Sequence, residues 1–143
     1  MSTQIRGQSA SSEQPLLPVP SSLAEQTFRQ PDIPAVRRAA AVFGARAGMG
    51  HAQAADFVQA VSEAAACAVA QGPCTARLRL WIAGRLAFCE IRGDGMLLTD
   101  GPRGAWQGDA ETLRRWLLHR LCDHATVESG PEGVSVLLSV TIG

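Results

Sequence analysis

The spacing of apolar residues changes near Cys74, and this change limits the folds open to the chain. Before Cys74, apolar residues recur every three or four positions, which is the period of an amphipathic helix. After Cys74 they alternate with polar residues, which is the period of a half-buried strand. A helical first half followed by strands predicts an α+β protein rather than a helical bundle or an all-β sandwich.

Two helices are predicted in the first half of the chain. The first covers residues 32–48, with Asp32 in the N-cap position and Pro34 in the first turn. The second covers residues 52–71 and is stopped by the Gly72-Pro73 pair. Alanines make up much of the second helix, so it should allow another backbone to approach closely.

Five strands and a third helix complete the predicted fold. Residues 23–29 are expected to form an edge strand, and residues 78–92 a hairpin with its turn at Ala83-Gly84. A third helix over 109–123 precedes a closing hairpin over 125–142. This order predicts a two-layer α+β sandwich, with three helices covering one face of a mixed, mostly antiparallel sheet.

One aromatic residue of the first hairpin falls on the polar side of its strand. Trp81 alternates with Leu80 and Ile82, in the phase of Arg77 and Arg79. The sequence leaves two interpretations open: Trp81 is an exposed aromatic residue, or it closes an edge of a core.

Length and composition favour one globular domain. The chain has 143 residues, which fits a single domain over 23–143 preceded by a flexible tail over 1–22, a segment rich in Ser, Gln and Pro. The 13 basic residues, all arginine, balance 13 acidic ones, so no net field attracts nucleic acid. No apolar run reaches the length of a membrane span, and we expect a cytoplasmic protein. Lys, Asn and Tyr do not occur, which is typical of a GC-rich bacterial genome.

The second helix carries the run that points to function. Residues 60–69 read AVSEAAACAV and place Glu63 and Cys67 one helical turn apart. This run resembles the N-box of the GHKL (Bergerat-fold, histidine kinase and HSP90-like) ATPases, most closely that of the anti-sigma-factor serine/threonine kinases. In those kinases a Glu at the position of Glu63 is the general base. An Asn at the position of Cys67 holds the Mg²⁺ that bridges the ATP phosphates.

The resemblance extends over about residues 23–143, because helix order, glycine-rich lid and terminal hairpin match the family plan. The family's next motif, Asp-x-Gly-x-Gly, reads the adenine amino group through its Asp. In one alignment Gly93 stands at the Asp position and Gly95 at the first glycine. An alignment that starts at Asp94 instead loses both glycines. In the lid, Gly104 is followed by an acidic helix start that would repel phosphate.

These departures predict a degenerate ATP site. A thiol at position 67 is a poor ligand for Mg²⁺, which prefers hard oxygen donors. The candidate residues are one catalytic base and a set of cofactor-binding positions: Glu63 for the first, and Glu63, Cys67, Gly93, Asp94, Gly95 and Gly104 for the second. We expect ATP and Mg²⁺ to bind weakly or not at all, and no separate metal site.

The resemblance also implies partners. It points to an anti-sigma-factor-like regulator that binds a sigma factor or a STAS-type anti-sigma-factor antagonist, and that dimerises through its first strand and helix. One alternative is an active ATP-dependent protein serine/threonine kinase that uses Glu63 as its base. A second alternative is a structural adaptor unrelated to sigma factors.

Overall fold

The computed structural model describes residues 24–69, 74–94, 110–120, 122–130 and 133–142. The predicted tail over 1–22 and most of the predicted lid, over 95–109, lie outside these residues. In chain order the elements are β1 (Ala24–Phe28), a short 3₁₀ helix (Gln30–Asp32), α1 (Ile33–Ala47), α2 (His51–Ala68), β2 (Ala76–Ala83), β3 (Leu86–Gly93), α3 (Ala110–Arg120), β4 (His124–Gly130) and β5 (Gly133–Thr141).

The five strands form one sheet in the order β1-β2-β3-β5-β4. Each neighbouring pair of described strands is antiparallel, so the expected mixed sheet is antiparallel throughout this part of the chain. Helix α1 packs on β1 and β2, α2 on β2, β3 and β5, and α3 on β4. The predicted α+β class, with three helices and a largely antiparallel sheet, is confirmed.

Both ends of α1 follow the local sequence. Asp32 occupies the N-cap position, but its side chain makes no cap hydrogen bond to α1; its Oδ2 accepts from the Arg29 backbone N–H at 2.9 Å. The helix ends at Ala47 and is capped by Gly48, whose φ of +88° is a left-handed conformation that a glycine adopts without steric cost.

Helix α2 and the sheet form the centre of the core. Phe57, Val61, Ala64 and Ala68 are fully buried on the helix, as Leu80 is on the strand side. The small alanine side chains allow α2 to lie close to the sheet. The helix ends at Ala68, before the predicted stop at Gly72-Pro73, which lies outside the described residues.

The other face of the sheet has a different composition. Strand register places Arg79 opposite Glu90, and Trp81 opposite Phe88, on this face. Trp81 is 2% exposed and stacks on Phe88, with ring centroids 5.2 Å apart and planes 11° from parallel. Of the two interpretations that the sequence left open for Trp81, burial is therefore the right one.

Candidate functional site

The candidate base and the candidate metal ligand lie on one side of α2. Asp56, Gln59, Glu63 and Cys67 recur at intervals of three and four residues, so they form a single stripe along the helix. On another side of α2, Ala54 lies against Gly44 of α1. Asp56 lies close enough to Cys122, between α3 and β4, to raise the pKa of its thiol. The stripe therefore faces away from α1, towards α3.

Glu63 is half-buried in this stripe. Its Oε2 accepts a hydrogen bond from Gln59 Nε2 at 2.9 Å, which orients the carboxylate along the helix surface.

Cys67 lies one turn further along and is fully buried. Burial, and secondarily the negative charge of Glu63, raises the pKa of this thiol to about 12. The neutral thiol is a soft donor, whereas Mg²⁺ prefers hard oxygen ligands. Among the described residues no group of three or more His, Cys, Asp or Glu side chains is placed to hold a metal ion. Cys67 therefore does not fit the Mg²⁺ that the resemblance implied at this position.

Gly93 ends β3 directly beneath the last turn of α2. A Cβ atom at this position would lie 2.8 Å from the Ala68 carbonyl oxygen and 3.0 Å from the Ala68 Cβ. It would also lie 3.2 Å from the Ala76 Cβ, while Gly133 packs on the backbone of Gly93 from β5. The glycine is thus required by close packing, and no carboxylate could be accommodated here without moving α2.

Asp94 is separated from the stripe on α2. Its backbone N–H donates to the Thr75 carbonyl at 3.1 Å, which extends the β2–β3 ladder by one residue. Alternation then places its side chain on the sheet face away from the helices, with Arg77 and Arg92. There it lines a cavity of about 340 Å³ together with Thr27, Thr75, Ala76, Arg77, Arg92 and Gly93.

The structure thus brings together some of the predicted site residues and not others. Glu63 and Cys67 share one stripe, and Gly93 lies at the end of the same helix, against Ala68. Asp94 lies on the opposite face of the sheet, whereas Gly95 and Gly104 lie outside the described residues.

Sequence reasoning missed a charge network on the open face of the sheet. Arg79 pairs with Glu90 at 3.1 Å and Arg92 with the same carboxylate at 3.4 Å, while Arg77 pairs with Glu25 at 3.0 Å. The alternation of arginines on β2 is visible in the sequence. The turn lies at Gly84-Arg85, one residue later than the predicted Ala83-Gly84. Counted outward from the observed turn, Arg79 pairs with Glu90, whereas the predicted turn would have paired it with Phe88.

Two other thiols have raised pKa values. Burial is the main cause that raises the pKa of Cys122 to about 12, and burial also raises the pKa of the fully buried Cys89 well above its ordinary value. None of the described helices is both long and apolar enough to cross a bilayer.

Comparison with known proteins supports the fold. No protein-family model matches the sequence, and no curated protein matches it significantly. Among solved structures, the chain is similar to the RsbU and RsbW domains of Rv1364c from Mycobacterium tuberculosis, with a TM-score of 0.56 and 18% identity. The match covers 83% of this chain and 32% of that one, so the present chain spans about a third of its length.

At this identity the similarity shows the fold and no more. It agrees with the two-layer α+β architecture that the order of elements predicted.

Proposed function

We propose that the chain is an anti-sigma-factor-like regulatory protein that acts by binding another protein, through a fold whose ATP site is degenerate. The similarity to a structure that contains an RsbW domain supports the regulatory class. The geometry around Gly93 supports the choice of protein binding over phosphate transfer.

Gly93 is the observation on which this choice depends. In one of the two alignments the adenine-reading carboxylate falls at this position, but a side chain there would collide with the Ala68 carbonyl. This close packing supports the proposal that the ATP site is degenerate. A second position, Cys67, offers a buried neutral thiol where the family holds Mg²⁺ with an amide oxygen.

These two losses predict a large fall in ATP affinity. Hydrogen bonds to charged groups contribute about 1.5–3 kcal/mol each. Losing two such interactions weakens binding by roughly two to four orders of magnitude, since a tenfold change corresponds to about 1.4 kcal/mol. A micromolar family-type site would bind ATP in the millimolar range.

The proposed partners are a sigma factor or a STAS-type anti-sigma-factor antagonist. Either one would place the protein in the bacterial cytoplasm, where transcription is regulated. A homodimer formed through β1 and α1 is part of the same proposal.

Nucleotide binding is tested by thermal unfolding and calorimetry of the full chain with Mg-ATP. We expect the melting temperature to rise by no more than about 2 °C at millimolar nucleotide, because a millimolar Kd then gives a stabilisation of only about 0.4 kcal/mol. A Kd below about 10 µM, which corresponds to roughly 7 kcal/mol of binding free energy, would contradict the degenerate site.

Partner binding is tested by titrating the chain with each purified sigma factor and STAS-domain protein from the same genome. We expect one of them to bind equally well with and without ATP. Binding of none, with ATP present or absent, would contradict the regulatory proposal and favour an unrelated adaptor.

The kinase alternative has its own test. It predicts phosphate transfer to a serine of a STAS-type partner that is lost in Glu63→Gln and retained in Glu128→Gln, an exposed control on β4. We expect no transfer from the parent chain.

A further inference from the structure

A polar cavity lies at one end of the open face of the sheet. Its volume of about 340 Å³ is within the range of small-molecule sites. Register places Thr27 of β1, Arg77 of β2 and Arg92 of β3 side by side across the strands. Thr75 and Asp94 lie opposite each other in the next row, joined by the hydrogen bond from the Asp94 N–H. Among the described residues, the cavity is thus lined by two cations, one anion and two hydroxyl groups.

The two arginines form a pair of like charges directly across neighbouring strands. Such a pair destabilises a sheet unless opposite charges offset it. Each arginine has one carboxylate beside it: Glu25 lies 3.0 Å from Nη1 of Arg77, and Glu90 lies 3.4 Å from Nε of Arg92. Glu90 is shared with Arg79, to which it lies closer, at 3.1 Å. A guanidinium group has five N–H donors, so both arginines keep donors for an anionic group placed between them.

Asp94 brings a negative charge to the same cavity. Among the described residues neither Arg77 nor Arg92 forms an ion pair with it, so its carboxylate lies beyond ion-pair distance from both guanidinium groups. Asp94 is one row away from the arginines, and two residues along a strand span about 6.8 Å. The cavity therefore has a positive side and a negative side, separated by the width of a small molecule.

We propose that this cavity binds a free α-amino acid, whose carboxylate lies between Arg77 and Arg92 and whose ammonium group faces Asp94. The two charges of an α-amino acid are separated by one carbon atom, so they suit the short distance between the rows. Thr27 and Thr75 supply hydroxyl groups that hydrogen-bond the same charged groups. A simple anion fits less well because Asp94 repels it, and a simple cation is repelled by the arginines.

The proposed site is separate from the stripe on α2. It lies on the face of the sheet away from the helices, whereas Glu63 and Cys67 lie on the helix side. Its five polar side chains are exposed, so a ligand enters from solvent without any opening of the fold. Binding here does not depend on the regulatory function proposed above, and either proposal can fail alone.

The experiment titrates the full chain, labelled with ¹⁵N, with L-alanine and follows the backbone amide resonances of residues 75–77 and 92–94. Propionate and ethylamine serve as half-molecules, because each carries one of the two charges of L-alanine. We expect L-alanine to bind with a Kd of about 1 mM or lower, and at least about tenfold more tightly than either half-molecule. A hydrogen bond to a charged group is worth about that factor or more.

Two variants separate the halves of the site. Asp94→Asn should weaken L-alanine binding about tenfold or more while leaving propionate binding unchanged or stronger, and Arg92→Gln should weaken the binding of both. The matched controls are Glu128→Gln on β4 and Arg38→Gln on α1, which are exposed changes of the same charge outside the cavity. Both controls should bind L-alanine like the parent chain. The melting temperature of each variant checks that it remains folded.

Three results would overturn the proposal. One is the absence of any shift of these amides with L-alanine at about 10 mM, a concentration well above a millimolar Kd. Another is binding of propionate or ethylamine as tight as that of L-alanine, which would show a site for a single charge only. The third is unchanged L-alanine affinity in both Asp94→Asn and Arg92→Gln, which would locate the binding elsewhere on the chain.

Discussion

The two faces of the sheet are built on different principles. The helix side is apolar and closely packed, with Ala68 of α2 directly against Gly93 of β3. The open side carries the Arg79–Glu90 and Arg77–Glu25 ion pairs and one buried aromatic row. Substitutions on the helix side are therefore limited by side-chain volume. Substitutions on the open side are limited by charge pairing and by the burial of the aromatic row. The predictions below probe this difference in order of expected effect.

The largest effect is expected for Phe57→Ala on α2. Phe57 is fully buried and lies with its ring 5.8 Å from that of Phe43, so truncation leaves a cavity. We expect a loss of about 3–5 kcal/mol in the free energy of unfolding, measured in urea. The control is Val42→Ala on α1, which is 51% exposed and should change stability little. Equal losses in the two variants would contradict a core located between α2 and the sheet.

Gly93→Ala tests the close approach of α2 to β3. The added methyl group would meet the Ala68 carbonyl at 2.8 Å, and we expect about 1–3 kcal/mol of destabilisation. The control is Gly50→Ser at the start of α2, where φ is −68° and no atom lies within 4 Å. Serine is a good N-cap, so the control should be neutral or slightly stabilising. A Gly93→Ala chain as stable as the parent would remove the steric reason for a closed ATP site.

The buried thiol of Cys67 predicts a decline in stability at alkaline pH. Because burial raises its pKa from about 9 to about 12, its contribution is complete below pH 9 and is lost as the pH rises towards 12. Each such thiol lowers the unfolding free energy by up to about 1.4 kcal/mol per pH unit in that range.

Urea unfolding of Cys67→Ala at pH 8, 9 and 10.5 measures this decline. We expect the variant to decline less steeply than the parent, with Cys89 and Cys122 still contributing. Val69→Ala, a buried change on the same helix turn, should lower stability equally at every pH. Parallel curves for all three chains would show that Cys67 ionises as freely in the folded state as in the unfolded state.

The smallest effect is expected on the open face. Glu90→Gln removes the carboxylate shared by Arg79 and Arg92, and we expect a loss of about 0.2–1 kcal/mol that shrinks in high salt. Glu25→Gln removes the carboxylate that pairs with Arg77. Glu25 is more exposed than Glu90, so we expect a smaller loss of stability. A loss for Glu90→Gln that does not depend on salt would indicate packing rather than charge at this position.

The candidate site was only partly predictable from the sequence. The four-residue spacing of Glu63 and Cys67 on a helix was sufficient to place them on one stripe. From the sequence, Gly93 was interpreted as a position where the family's carboxylate is missing. In the structure this glycine is required for close packing against Ala68. Asp94 looked equally close to the site because it is adjacent to Gly93, yet strand alternation directs it to the other face of the sheet.

Local periodicity by itself determined the order and type of the elements, because each helix or strand has to bury its own apolar side. It therefore predicted α1, the β2–β3 hairpin and the two-layer architecture within a few residues. Which atoms meet across the layers was decided only by the tertiary structure. The collision that excludes a side chain at Gly93, and the burial of Trp81 on the face that the helices leave open, both arise between residues far apart in sequence. No local sequence pattern gives the distance between two segments that are far apart in the chain.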